Sequence, residues 1–303
     1  MAELRPIVDV LRRVPDSHRV FTEPRALAVR IHRIADPLLD ELVDLGLPVR
    51  IQGSEQFFDR NDLVNIGLRL GLDSPQRRSL TLLGAALAAG AEDKRILRTL
   101  DIVGRCPNPG HDGACEFTLA HWLADVPDVT AAIALAPHHL RLELELEGGP
   151  ERHLARSEAV HALLHSLDDV EFHHLPDALA GDLGFLRATR LADCRLATHH
   201  LVGQGLASGL EVRAAFGVFL APPMSVPHCW IELRDGAEWR RADPFFLRAL
   251  AGWGIVDAAL WPADREPVGA YWKVADALRA FVFHNGAPLR SSLITRAEGP
   301  PKT

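Results

Sequence analysis

The stretch His139-Leu140-Arg141-Leu142-Glu143-Leu144-Glu145-Leu146-Glu147 alternates apolar and polar residues without a break. Side chains on a strand point alternately to opposite faces, so a period of two places every leucine on one face and the charges on the other. The run reads as a half-buried strand, ended by Gly148-Gly149-Pro150. Its leucine stripe is core or a subunit contact, not a ligand box.

The chain before this strand reads as helical. Thr22-Glu23-Pro24 and Asp36-Pro37 each set a capping side chain beside a proline suited to a first helical turn. After Asp36, the residues Leu38, Leu39, Leu42, Val43 and Leu45 keep helical spacing until Gly46 and Pro48. Asp59 or Asn61 opens another helix, Ser74-Pro75 a third that ends near Gly90, and a fourth is expected from Asp93 to Val103. Arg105 to Gly113 holds two prolines and two glycines and reads as a loop. A short helix is expected around 118–124, and Ser157 caps one running to about Leu167.

Hydrophobic residues at 48% and charged residues at 24% give the balance of a soluble globular protein, and 303 residues suffice for one large or two ordinary domains. A net charge of −7 argues against a nucleic-acid or anionic-membrane surface. Lysine occurs only at positions 94, 273 and 302; the arginine, alanine, leucine and glycine excess reads as genomic base-composition bias. There is no signal-peptide pattern and no run near the roughly 20 apolar residues that span a bilayer. The expected location is the cytoplasm, where Cys106, Cys115, Cys194 and Cys229 stay reduced.

From residue 194 onward the pattern alternates helix and strand. Cys194 to Ala207 fits a helix stopped by Ser208-Gly209. Val212 to Leu220 and His228 to Leu233 fit strands, Asp235-Gly236 a hairpin turn, and Trp239 to Asp243 a third strand. The turn lies near the midpoint between His228 and Asp243, so their strand ends should be neighbours. A thiol at a helix N-terminus, an imidazole and a carboxylate are the parts of a cysteine nucleophile, its base and an orienting acid. The backbone N–H of Cys194 is a candidate oxyanion donor.

These residues carry a resemblance. Gly184 to Pro244 resembles the transglutaminase-like core, a circularly rearranged relative of the papain fold. The matching motifs are Cys194 opening a helix, Gly209-Leu210-Glu211-Val212-Arg213 leading to Gly217, His228-Cys229-Trp230-Ile231-Glu232, and Trp239-Arg240-Arg241-Ala242-Asp243-Pro244. Ala192-Asp193 precedes the cysteine where the family usually has a small residue, and Cys229 replaces the common alanine. The resemblance implies an α+β fold with an antiparallel sheet packed on the nucleophile helix. The catalytic core is expected over 131–295, after the mainly helical region over 1–130 read from its caps and periodicity and before a tail over 296–303 whose prolines and charges suggest fraying. The resemblance also implies Cys194 as nucleophile, His228 as base and Asp243 as orienting acid. The implied activity is acyl transfer from an amide, ester or thioester to an amine or water; the cytoplasmic setting and the unfamiliar N-terminal portion add the expectation of a role in metabolite biosynthesis. The acyl substrate is a small molecule, a peptide or a carrier-bound group, with no cofactor, nucleic acid or membrane. A cysteine peptidase or amidase is the nearest alternative, a non-catalytic binding scaffold the alternative of another class.

Other residues receive plainer readings. Cys229 should point away from the face of His228. Trp230 and Trp239 read as core, Glu232 as a solvated or structural carboxylate, and Arg213 as an ion-pair partner. Cys106, His111, Cys115 and His121 offer thiol and imidazole ligands on the proline- and glycine-rich loop, but their spacing fits no compact zinc signature, and an ordinary loop is the preferred reading. His161 and His165, near Asp168, Asp169, His173 and His174, read as a polar helix end.

Overall fold

A computed structural model describes residues 4–154 and 157–297. The helices are α1 (Leu4–Leu11), α2 (Arg25–Arg30), α3 (Asp36–Asp44), α4 (Arg60–Arg69), α5 (Pro75–Glu92), α6 (Glu158–Leu164), α7 (Leu183–Thr189), α8 (Cys194–Ala207) and α9 (Pro244–Gly252). The strands are β1 (Phe21–Pro24), β2 (Arg50–Gln52), β3 (Glu55–Asp59), β4 (Arg95–Val103), β5 (Phe117–Leu119), β6 (Val129–Ala136), β7 (His139–Glu147), β8 (Glu171–Phe172), β9 (Leu191–Ala192), β10 (Val212–Phe219), β11 (Met224–Asp235), β12 (Glu238–Ala242), β13 (Tyr271–Ala275), β14 (Val282–His284), β15 (Ala287–Leu289) and β16 (Ser292–Ala297). The fold is α+β. Among the described residues no helix is long and apolar enough to cross a membrane.

Contacts divide the chain into two compact units. One comprises Met1–Thr81, Ala162–Gln204 and Pro244–Ala263; the other comprises Leu82–His161, Gly205–Asp243 and Asp264–Thr303. Each unit thus draws on sequence from both sides of position 130.

In the first unit, helices pack around Val8, Leu11, Ile34, Leu39, Leu42, Phe58, Leu63 and Ile66. Of the expected caps, those at Thr22 and Asp36 are not formed: residues 21–24 are strand β1, and α2 and α3 start after Pro24 and Ala35 without a side-chain cap bond, while Asp59 does cap α4. The Asp59 carboxylate accepts from the amides of Asn61 and Asp62 and starts α4. Beneath it a buried ion pair joins Arg19 to Asp62 at 2.7 Å. Burial pushes the Asp62 carboxyl up to about 6, against the pull of Arg19.

The second unit is organised by an eight-stranded sheet in the order β13-β10-β11-β16-β4-β7-β6, with β12 also on β11, every pairing antiparallel. One edge of β11 is shared: β16 pairs with Met224 and Ser225, and β12 with Ile231 to Asp235. In β7, Leu140, Leu142, Leu144 and Leu146 are all buried, as the alternation required.

Three expectations need correction. Residues 95–103 form a strand, not a helix. Ile96, Leu100 and Ile102 are buried there, and all nine residues pair with β7. Residues 117–119 are strand β5, and only 121–125 form a helical turn, of the 3-10 type. Of the tail expected to fray over 296–303, Arg296 and Ala297 close β16 against β4, and the remainder lies outside the described residues.

Candidate active site

The hairpin of β11 and β12 positions two of the candidate residues within the second unit. Its register pairs Ile231 with Ala242 and Asp235 with Glu238, so Asp243 falls opposite Trp230 and diagonal to His228. Alternation gives these three residues one face. His228 Nε2 lies 2.6 Å from Asp243 Oδ2, with both side chains almost fully buried. An ionised carboxylate only accepts, so Nε2–H donates and the imidazole lone pair lies on Nδ1.

A third residue, which the sequence reasoning passed over, completes this arrangement. Tyr271, the only tyrosine in the chain, donates its hydroxyl to the same Oδ2 at 2.6 Å. Its ring meets the His228 ring edge-on at 5.3 Å and the Trp230 ring at 5.0 Å, and Trp230 stacks at 6.1 Å from the imidazole, so the three rings touch one another. Tyr271 comes from β13, which pairs with β10 on the edge away from β11. The close approach is possible because position 217 is glycine. A Cβ there would sit 2.0 Å from the Trp272 carbonyl oxygen and 2.7 Å from the Trp230 ring.

In the first unit, Cys194 opens α8 and is half-buried. The preceding residue, Asp193, is the helix cap: its Oδ1 accepts from the amides of Arg195 and Leu196, both at 3.0 Å. A carboxylate beside the thiol works against a thiolate. Arg195 offsets that by gripping Asp193 Oδ2 at 2.6 and 2.8 Å and reaching Asp177. Burial works against the Arg195 charge, but the Asp193 and Asp177 carboxylates raise its pKa overall. The approach to Cys194 is held by β9, whose Ala192 carbonyl accepts from the His173 amide at 2.8 Å. His173 is fully buried, and burial drives its pKa well below the ordinary value, so it is neutral.

Neighbouring residues have structural duties. Glu232 is buried and accepts from Arg213 at 2.7 Å and Lys273 at 2.6 Å. Arg213 also lies over the Trp239 ring at 4.2 Å, so Trp239 is half-buried against cations rather than in the core. Trp230 is core, 1% exposed. Cys229 is buried, and the alternation of β11 directs it away from the His228 face. Near His165, Asp168 bonds to His165 and to Arg248, a polar helix end as expected.

The loop after β4 gathers several thiol and imidazole side chains. Cys106, His111, Cys115 and His284 bring one ligand atom each within 4.8 Å of one another, among the described residues the one such group of thiols, imidazoles and carboxylates. His121 is not a member; it is exposed on the 3-10 turn, and His284 of β14 stands in its place. Desolvation and a hydrogen bond with the neighbouring Cys106 thiol, which favours the protonated form, raise the pKa of the Cys115 thiol.

A cleft of about 310 Å³ opens in the first unit between Asn65, Arg69, Phe172, Phe245 and Trp253. Its charges are internally paired: Arg69 with Glu171 and Arg248 with Asp168. Cys194 does not line it.

No family model matches the chain. No curated protein matches it either. Among solved structures, the chain is similar to one described as a "Putative Cysteine Protease from Cytophaga hutchinsonii", at 11% identity and a TM-score of 0.31, over 69% of this chain and 90% of that one.

Proposed function

We propose that the chain is a cysteine-nucleophile acyl-transfer enzyme with a transglutaminase-like core, in which Cys194 attacks, His228 moves the proton and Asp243 orients the imidazole. The observation that carries this reading is the buried His228–Asp243–Tyr271 arrangement, two 2.6 Å hydrogen bonds converging on one carboxylate oxygen. Such a carboxylate fixes the tautomer and steadies an imidazolium, which is what a thiol nucleophile asks of its base. Cys194 sits at the helix position where thiolates are favoured. Because Asp193 already occupies the first-turn amides, the imidazolium of His228 is the larger source of thiolate stabilisation in this reading.

In the reaction, the Cys194 sulfur bonds to the carbonyl carbon of an amide, ester or thioester. The leaving amine, alcohol or thiol takes the proton held by the imidazole. An amine or water then attacks the thioester, passes its proton to His228 and releases the Cys194 thiolate. The substrate is a small molecule, a peptide or a carrier-bound acyl group.

The test is intact mass after incubation with simple amide, ester and thioester donors, for wild type and Cys194→Ala. An acyl adduct in wild type that is absent from the variant is expected. Rapid alkylation of Cys194 by iodoacetamide at neutral pH accompanies it. Slow, equal labelling of all four cysteines, with no adduct, would replace the enzyme by a non-catalytic binding scaffold.

A further inference from the structure

We propose that Cys106, His111, Cys115 and His284 bind one zinc ion, which fastens the loop between β4 and β5 to strand β14. The four ligand atoms already crowd within 4.8 Å of one another. A tetrahedral zinc with sulfur and nitrogen ligands needs ligand-to-ligand separations of about 3.3–3.8 Å. Cys115 Sγ and His111 Nε2 are 3.3 Å apart, at such an edge, so small side-chain adjustments by the others complete the shell.

The orientation of both imidazoles supports the assignment. His111 Nδ1 lies 3.0 Å from the Asp112 carbonyl oxygen, which can only accept. Nδ1 therefore carries the proton, and the lone pair of Nε2 faces the cluster. Zinc-binding histidines commonly hold their second nitrogen in this way. His284 is 92% buried by the complement of its 8% exposure, yet its Nε2 has no hydrogen-bond partner. A buried imidazole nitrogen left without a partner costs on the order of 1–3 kcal/mol, and a metal bond removes that cost.

The backbone is shaped to hold the ligands there. Strand β5 pairs His284 with Phe117. The Asn285 amide donates to the Glu116 carbonyl at 2.8 Å, and the Glu116 amide donates to Asn285 Oδ1 at 2.8 Å. Cys115 is thus delivered next to the strand that carries His284. Two thiols and two imidazoles form a soft, carboxylate-free set that suits zinc rather than magnesium or calcium. On binding, each thiol gives its proton to solvent, so two thiolates balance the dication and no electron moves.

The experiment is zinc analysis of the tag-free, full-length protein purified under reducing conditions, followed by cobalt(II) titration of the chelated protein. One zinc per chain and near-ultraviolet sulfur-to-cobalt charge-transfer bands are expected. Cys115→Ser and His284→Ala should reduce zinc to background, whereas His121→Ala and Cys194→Ala should leave it at one per chain. Cys115 is exposed, so Cys115→Ser is the variant that keeps the fold. Sub-stoichiometric zinc without a cobalt–thiolate spectrum would overturn the proposal. So would zinc retained by both ligand variants, zinc lost in His121→Ala, or a Cys106–Cys115 disulfide in the protein as isolated.

Discussion

Replacing Asp243 by asparagine removes a charge and leaves the geometry. The reason is specific to this site. His228 Nε2 and Tyr271 Oη both end on Oδ2, each at 2.6 Å. An amide oxygen in that place has two lone pairs and accepts both donors, while the amide nitrogen takes the position of Oδ1. The histidine therefore keeps its Nε2–H tautomer while the carboxylate charge is lost. A hydrogen bond to a charged group is worth about 1.5–3 kcal/mol against about 1 for a neutral pair. An opposite charge this close shifts a partner's pKa by about 1–3. The imidazolium loses that support, and a thiolate that depends on it loses the same. The assay is the pH dependence of iodoacetamide alkylation at Cys194, resolved by peptide mass. A rate at one pH is a poor measure, because a thiol whose pKa rises also becomes a better nucleophile per thiolate, with a Brønsted slope of about 0.4–0.5. The midpoint of the profile is free of that compensation. It should lie below the ordinary value of about 8.5 in wild type and move up by about 1–3 pH units in Asp243→Asn. A wild-type midpoint near 8.5, or an unmoved midpoint in a folded variant, would refute the coupling of Cys194 to His228.

Tyr271→Phe keeps the ring and deletes a buried bond to a carboxylate, so unfolding in urea should show a loss of about 1.5–3 kcal/mol; an unchanged midpoint would mean the hydroxyl does not serve Asp243. Gly217→Ala drives a methyl group into the Trp272 backbone carbonyl and should cost at least about 1–3 kcal/mol or abolish soluble expression, read by denaturant midpoint and yield. His32 is buried near Arg60, which together lower its pKa to about 4. Below pH 6.5 the unfolded chain binds a proton there that the folded chain refuses, so stability is lost as pH falls from 6.5 to 4, by up to about 3 kcal/mol from this residue. Thermal melts across that range should fall less steeply for His32→Gln, and parallel slopes would contradict the assignment.

Local closure decides how much of this protein its sequence discloses. His228 and Asp243 are 15 residues apart across one hairpin, so strand alternation and a turn signal were enough to bring them together. Tyr271 needs a further pairing, β13 on the far edge of β10, which no local pattern announces. The metal cluster divides in the same way. Cys106, His111 and Cys115 share a loop and stood out as candidates, but the fourth member of the group, His284, arrives from β14, and His121, the next histidine in sequence, lies outside it.

Strand β4 shows why proximity in sequence can mislead even about secondary structure. In Arg95-Ile96-Leu97-Arg98-Thr99-Leu100-Asp101-Ile102-Val103, apolar residues at 96, 100 and 103 satisfy a helical spacing, while 96, 100 and 102 satisfy a strand. The pattern alone does not choose, so the choice falls to the partners. Strand β7 offers a complete ladder of nine register pairs and its leucine face. Asp101 shows the choice most clearly, being 2% exposed in mid-strand. It survives burial because Arg141 and His139 of β7 and Arg296 of β16 all reach its carboxylate at 2.9 Å. Despite the cost of burial, these partners lower its pKa overall. A solvated helical aspartate would need none of them. The two flanking strands supply two guanidiniums and an imidazole to one carboxylate, and that compensation for Asp101 is available only in the extended conformation of 95–103.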